Sequence, residues 1–145
     1  MTQISYTPSH FGLCVTDLDR SLRFYRDGLG FEVAECYEVG NEVADALEVE
    51  GTVDLVSQFI RLGGMAIELL YYRSPGTQGR PSASRNQLGL THLSFEVDDV
   101  EAAANHLVEC GGTIVKSTYA DTPGAEILFI EDPDGARVEL MRLAK

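Results

Sequence analysis

The chain repeats itself, and that repeat constrains its fold more than any other feature. Displaced by 82 positions, the starts of two halves align: His10 falls on His92, Val15 on Val97, Asp17 on Asp99 and Gly30 on Gly112. Phe11, Leu13 and Leu18 fall on Leu93, Phe95 and Val100. Displaced by 71, Gly64–Leu70 falls on Gly135–Met141, which brings Glu68 onto Glu139. The two displacements differ by 11 residues, so the first half carries that much extra chain, placed within Gly40 to Asp54 where periodicity lapses.

Each copy reads as β-α-β-β-β. His10 to Val15 alternates, with Phe11, Leu13 and Val15 on one face and His10, Gly12 and Cys14 on the other. In the second copy Leu93, Phe95 and Val97 oppose His92, Ser94 and Glu96. The apolar face is expected beneath a helix, and the small polar face is expected to line a cavity. Asp17 is an N-cap candidate for a helix whose stripe is Leu18, Leu22, Tyr25 and Leu29. Asp98 or Asp99 starts the second helix, with Val100, Ala103, Ala104 and Leu107 inward. Gly28 to Gly30 and Gly111-Gly112 end these helices. Further strands are expected over Phe31–Tyr37, Val56–Leu62, Met65–Tyr72, Thr113–Tyr119, Ile127–Glu131 and Ala136–Leu143. Gly63-Gly64 and Asp132-Pro133-Asp134-Gly135 supply tight turns. The expectation is one domain over residues 1–145, with a first module at about 6–73, a connector at 74–88 and a second module at 89–145.

Both histidines open a first strand, and both glutamates sit in a last strand. Glu68 lies between Ile67 and Leu69, and Glu139 between Val138 and Leu140. A carboxylate in so apolar a strand needs a partner if buried, and a metal ion is one. His106 falls on the second helix, off its apolar stripe, and is read as a surface residue.

The formal net charge of −12 excludes a nucleic-acid partner, whose phosphates demand a basic face. No run approaches the roughly 18 apolar residues that span a membrane. The start of the chain has no basic region followed by an apolar core, so no secretory signal is read there. The cysteines, Cys14, Cys36 and Cys110, are odd in number and form no Cys-x-x-Cys pair. Reduced thiols and a cytoplasmic location are expected, with Cys14 a small buried residue.

The motif strings carry a family resemblance along nearly the whole chain. They are His10-Phe11-Gly12-Leu13-Cys14-Val15-Thr16-Asp17-Leu18 with Phe24-Tyr25 and Leu29-Gly30-Phe31, then Gly89-Leu90-Thr91-His92-Leu93-Ser94-Phe95-Glu96-Val97-Asp98-Asp99. Asp132-Pro133-Asp134-Gly135 leading into Val138-Glu139-Leu140 completes them. Together they resemble the vicinal oxygen chelate superfamily, the fold of glyoxalase I, methylmalonyl-CoA epimerase, bleomycin-resistance proteins and extradiol dioxygenases. The resemblance implies an α+β fold of two βαβββ modules forming a cupped, incomplete barrel. It implies one divalent metal ion (Zn, Ni, Co, Mn or Fe) held by His10, Glu68, His92 and Glu139. Octahedral coordination leaves two positions for a small-molecule substrate that chelates through two oxygens.

By the same resemblance the chain is a lyase or isomerase of the glyoxalase I or methylmalonyl-CoA epimerase type. Glu139 or Glu68 removes a proton next to a carbonyl, giving an enediolate or enolate. Methylmalonyl-CoA epimerases usually have Gln where Glu68 stands and His-His where this chain has Thr91-His92. Two alternatives accompany this reading. An Fe(II) extradiol dioxygenase would use His10, His92 and Glu139, but Glu68 fills a position its substrates need. A non-enzymatic drug-binding protein would use Tyr37, Phe59, Tyr71, Tyr72 and Tyr119 to line a groove. Arg73, Arg80 and Arg85 are candidates for meeting an anionic substrate, with solvated loop arginines the plainer reading, and Glu38 is a weaker candidate for a second acid–base group. A homodimer is expected from the family.

Overall fold

The computed structural model describes Gln3–Ala144. Each half of the sequence builds one sheet, and the two sheets share a topology. In each, the first strand pairs in parallel with the last, and the remaining pairings are antiparallel. This is the signature of β-α-β-β-β written twice, an α+β fold with two sheets and few helices.

The first sheet contains β1 (Phe11–Cys14), β2 (Glu32–Val39), β3 (Asp54–Leu62) and β4 (Met65–Ser74), in the order β1-β4-β3-β2. Alternation sorts β4 cleanly. Ile67 and Leu69 are fully buried, while Glu68 and Leu70 stand on the opposite face, half-buried. Ile60 and Val56 of β3 extend the buried layer. Strand β2 carries a bulge between Val33 and Cys36. Gln58 of β3, itself buried, donates from Nε2 to the carbonyls of Ala34 and Glu35 at 3.2 Å each, satisfying backbone groups that the broken ladder leaves open. The extra chain of the first half lies where expected. It forms a 3-10 turn at Asn41–Val43 and the short helix α2 (Ala44–Leu47), ending at Glu48 in the left-handed region at φ 55°. Asn41 Oδ1 accepts from Val53 N at 2.7 Å and closes this excursion just before β3.

The second sheet contains β5 (Leu93–Glu96), β6 (Thr113–Ile114), β8 (Ala125–Glu131) and β9 (Arg137–Leu143), in the order β5-β9-β8-β6, with β7 (Ala120–Asp121) also on β8. A single strand over Thr113–Tyr119 is not what forms. The chain leaves the sheet after Ile114 and makes a 3-10 turn at Lys116–Thr118. Thr118 drives this: its hydroxyl donates to Val115 O at 2.6 Å and accepts Phe129 N at 2.9 Å, replacing ladder bonds with a side-chain bracket.

The chain divides into two compact units. The first takes in residues through Thr16 and Phe31–Thr77, and the second takes in Asp17–Gly30 and the chain from Gln78 onward. The helical segment at residues 17–30 therefore groups with the second sheet rather than with the half that encodes it. It begins as α1 (Leu18–Leu22), capped by Asp17 onto Arg20 N at 2.9 Å, and continues as a wider π turn over Arg23–Gly28. The extra residue per turn rotates the inward stripe. Ser21, Phe24 and Tyr25 are fully buried, whereas Leu18, Leu22 and Leu29 are only half-buried. Its anchors are Tyr25 on Asp132 at 2.9 Å, Arg20 on Pro133 O at 2.9 Å and Arg23 on Glu109 O at 2.6 Å.

Helix α3 (Val100–Glu109) is capped by Asp99 onto Ala102 N at 2.9 Å and buries Val100, Ala104 and Leu107, with Ala103 half-buried. It ends at Gly111, whose φ of 101° an L side chain rarely adopts. Among the described residues no helix is long and apolar enough to cross a membrane.

Candidate metal-binding and catalytic site

Parallel pairing of β1 with β4 sets Gly12 opposite Glu68, and the residue before β1 is His10. His10 Nε2 lies 3.1 Å from Glu68 Oε2. The second sheet repeats the device: β5 pairs with β9, Ser94 opposes Glu139, and His92 precedes the strand. His92 Nε2 lies 3.7 Å from Glu139 Oε2.

The surroundings of the two pairs match group by group. Each imidazole has its Nδ1 on the hydroxyl of the preceding residue, Ser9 at 2.7 Å and Thr91 at 2.8 Å. Each meets the edge or face of a phenylalanine at a near-right angle: His10 and Phe59 at 4.9 Å, His92 and Phe129 at 5.2 Å. Those phenylalanines are the cross-strand partners of Glu68 and Glu139. Each carboxylate accepts from a serine, Glu68 from Ser57 and Glu139 from Ser94 at 2.6 Å. The backbone at Thr91 is held by Arg85, which donates to its carbonyl at 2.7 Å.

Neither carboxylate is fully buried. The side chains of His10 and His92 are each 33% exposed, Glu68 20% and Glu139 16%. Ile67 and Leu69, or Val138 and Leu140, occupy one face of their strand as alternation requires, and the glutamates occupy the other, half-buried one. Cys14 corrects the expectation of a small buried residue. It shares the open face of β1 with His10 and is exposed, while Cys110 is the buried cysteine. Tyr72 stands on this face as well. Partial burial pushes its phenol up, with the nearby Cys14 and Glu68 adding to the shift.

The four candidate ligands thus stand as two His–Glu pairs, one in each unit. Among the described residues no group of three or more His, Cys, Asp and Glu side chains is gathered for a metal ion. Within each pair the donor chemistry fits a divalent ion. An imidazole engaged at Nδ1 has its Nε2 directed at a carboxylate oxygen, the arrangement that outer hydrogen bonds give to metal-ligating histidines.

Other sequence candidates have other roles. Arg73 is bound to Glu38 at 2.7 Å and Asp54 at 3.0 Å, so Glu38 is half of a solvent-exposed ion pair. Arg85 is spent on backbone carbonyls. His106 is exposed and contacts Asp27 O at 3.1 Å. Tyr37 and Tyr119 are each 54% exposed, so these two are not core aromatics. A groove of about 890 Å³ on the second unit is lined by Glu96, Asp98, Asp121, Glu126 and Arg142 and includes none of the four candidate ligands. The serines were not singled out as site residues from sequence. Ser57 and Ser94 reach their carboxylates across 11 and 45 positions of chain, and a lone serine in a strand carries no motif.

Residues 7–140 match the family model described as Glyoxalase/Bleomycin resistance protein/Dioxygenase superfamily. The chain is 35% identical over 136 residues to "Uncharacterized protein YaeR" of Escherichia coli K12, covering 90% of this chain and 92% of that protein. It is 30% identical over 143 residues to a "2-epi-5-epi-valiolone epimerase" of Actinomyces sp, covering 92% and 78%. It is 29% identical over 136 residues to a "Probable lactoylglutathione lyase" of Vibrio parahaemolyticus, covering 92% and 88%. A solved glyoxalase family protein from Bacillus cereus superposes with a TM-score of 0.82 at 19% identity, covering 99% of this chain and 97% of that one.

Proposed function

The chain belongs to the Glyoxalase/Bleomycin resistance protein/Dioxygenase superfamily, and from that membership we propose that it is a divalent-metal-dependent lyase or isomerase that removes a proton next to a carbonyl. The observation that carries the reading is the duplicated His–Glu pair, with Nε2 facing a carboxylate at 3.1 Å in one unit and 3.7 Å in the other. Its relatives include an epimerase and a lactoylglutathione lyase by name, and both names describe chemistry at a carbon acid.

His10 with Glu68, and His92 with Glu139, are the proposed ligands for an ion of Zn, Ni, Co, Mn or Fe. The ion would supply Lewis-acid stabilisation of the charge that develops on two substrate oxygens as an enediolate or enolate forms. The protein's part is to hold and move the proton. Glu68 is engaged at both oxygens, Oε1 by Ser57 and Oε2 by His10. Glu139 has both partners, Ser94 and His92, on Oε2. Glu139 Oε1 is therefore the better placed to take the substrate proton and return it to carbon, with Glu68 the fixed member of the set. The dioxygenase alternative loses ground for the same reason, since a clamped Glu68 fills a position that chemistry needs open. The reading includes a homodimer acting on a small molecule.

The test is metal content and turnover together. The purified chain should take up about one Ni, Zn, Co or Mn per site, and the His10→Ala, His92→Ala double variant should not. The loaded protein should then turn over either a hemithioacetal of a 2-oxoaldehyde or an epimerisable acyl thioester, with solvent deuterium entering the product. A chain that binds none of these ions on titration would sink the proposal.

A further inference from the structure

We propose that Ser9, Thr91, Ser57 and Ser94 are positioning residues: Ser9 and Thr91 fix the imidazoles of His10 and His92 by Nδ1, and Ser57 and Ser94 fix the carboxylates those imidazoles face. The inference rests on the metal-site reading above and deepens it.

The geometry is specific. Glu68 and Glu139 as carboxylates can only accept, so a neutral metal-free ring is favoured with its hydrogen on Nε2, by close contact for His10 at 3.1 Å and by charge attraction alone for His92 at 3.7 Å. Nδ1 then needs a partner that can donate to it. A metal ion on Nε2 reverses the requirement, because Nδ1 must then hold the hydrogen and donate it. A hydroxyl satisfies both states by rotating, and a backbone carbonyl satisfies only the second. Ser9 at 2.7 Å and Thr91 at 2.8 Å therefore hold the same ring orientation before and after loading.

The carboxylate brackets argue that a role has been kept rather than a residue. Ser94 lies on β5, and its counterpart at the repeat displacement of 82 is Gly12, which has no hydroxyl. In the first unit the hydroxyl comes from β3 instead, as Ser57. Aligned through the Phe59–Phe129 pair, the counterpart of Ser57 is Ile127. The two copies thus reach the same contact, a serine hydroxyl on the glutamate beside the histidine, from non-equivalent positions. Simple inheritance from a common repeat would have put the two serines at matching sites.

The test uses Ser9→Ala, Thr91→Val, Ser57→Ala and Ser94→Ala, with the conservative Ser9→Thr, Thr91→Ser, Ser57→Thr and Ser94→Thr as rescue. Two readouts are taken at one fixed pH: the imidazole ¹⁵N spectrum of the metal-free protein, and the affinity for Co²⁺ alone. In the metal-free parent each site histidine should show its hydrogen on Nε2. Ser9→Ala and Thr91→Val should each convert only their own histidine to the mixed tautomer pattern of imidazole in water, with an unchanged melting curve. Ser9→Ala, Thr91→Val and Ser57→Ala should each weaken Co²⁺ binding about 10–100-fold, Ser94→Ala should weaken it less because Ser94 holds the base rather than the anchor, and the conservative variants should stay within about threefold of the parent. If the parent binds Co²⁺ but the truncations bind equally well and leave the spectra unchanged, the positioning role is wrong and the metal reading stands. If the parent binds no Co²⁺, the metal reading fails. In that case the metal-free spectra still decide the imidazole half and, with it, the proposal.

Discussion

Tyr25 donates its hydroxyl to Asp132 Oδ2 at 2.9 Å, joining two residues 107 positions apart inside the second unit. The other carboxylate oxygen accepts the amides of Asp134 at 2.9 Å and Ala136 at 2.8 Å, so Asp132 ties the helical segment at residues 17–30 to the turn that leads into β9 and Glu139. Desolvation nonetheless outweighs these bonds and raises the Asp132 carboxyl above its ordinary value.

That shift fixes the sign of a pH effect. A folded state that binds the proton more tightly than the unfolded chain is stabilised by this group below the unfolded value of about 4. The contribution is lost as pH rises through the raised folded value. Asp27 and Glu35 act oppositely, since Arg26 and Arg61 hold them low. In Asp132→Asn the amide oxygen keeps the two backbone bonds, and the NH₂ can donate to the Tyr25 oxygen. Urea midpoints of parent and variant should therefore shift in favour of the variant between about pH 4 and pH 7. A gap that does not change with pH would show that burial does not disfavour this carboxylate.

Ser21 is fully buried on α1, and among the described residues its Oγ has no hydrogen-bond partner. A desolvated hydroxyl without a partner is a cost, and Ser is a poorer helix former than Ala. Ser21→Ala should raise stability by about 0.5–1.5 kcal/mol in chemical denaturation. Destabilisation by a similar amount would mean that the hydroxyl has a partner, such as an internal water.

Gly112 follows the end of α3, and its amide donates to Leu107 O at 2.8 Å. A Cβ there would lie 2.7 Å from Phe24 Cε2, 3.0 Å from Ile130 Cγ2 and 3.0 Å from the Leu107 carbonyl oxygen. The aromatic ring and the methyl belong to fully buried side chains, and the carbonyl is helix backbone, so none can yield cheaply. Gly112→Ala should cost about 1–3 kcal/mol. Gly64→Ala, with nothing within 4 Å of the added carbon, serves as the control for a tolerated site. Equal midpoints for the two variants would contradict the packing around Phe24.

Much of the architecture was legible because a repeat displays its own periodicity. The β-α-β-β-β order written twice, the extra chain between Gly40 and Asp54, the Asp17 cap, and a second cap at Asp98 or Asp99 all follow from residue pattern. What pattern could not carry was contact between residues distant in sequence. The π turn at Arg23–Gly28 turns Phe24 inward in place of the leucine stripe. The side-chain bracket at Thr118 breaks an otherwise strand-like run. The candidate ligands were visible as a His and a Glu recurring in both copies, whereas their hydroxyl partners were not, because two of those partners do not recur at matching positions.

The unequal holding of the two glutamates gives the last prediction. Glu68 has a separate partner on each oxygen, and Glu139 has both partners on one. Replacing the base should remove proton transfer while leaving most of the ion-binding set in place. Replacing the clamped ligand should loosen the ion. Glu139→Gln should therefore lower kcat about 10²–10⁴-fold with metal content near that of the parent. Glu68→Gln should lose metal first, by about 10–100-fold in affinity, and recover part of its activity at high metal concentration. Hydrogen exchange between substrate and solvent, followed in D₂O with metal held in excess, separates the two. If Glu68→Gln alone stops exchange while Glu139→Gln alone sheds metal, the assignments of base and anchor must be exchanged, and Ser57 would then be holding the base rather than the anchor.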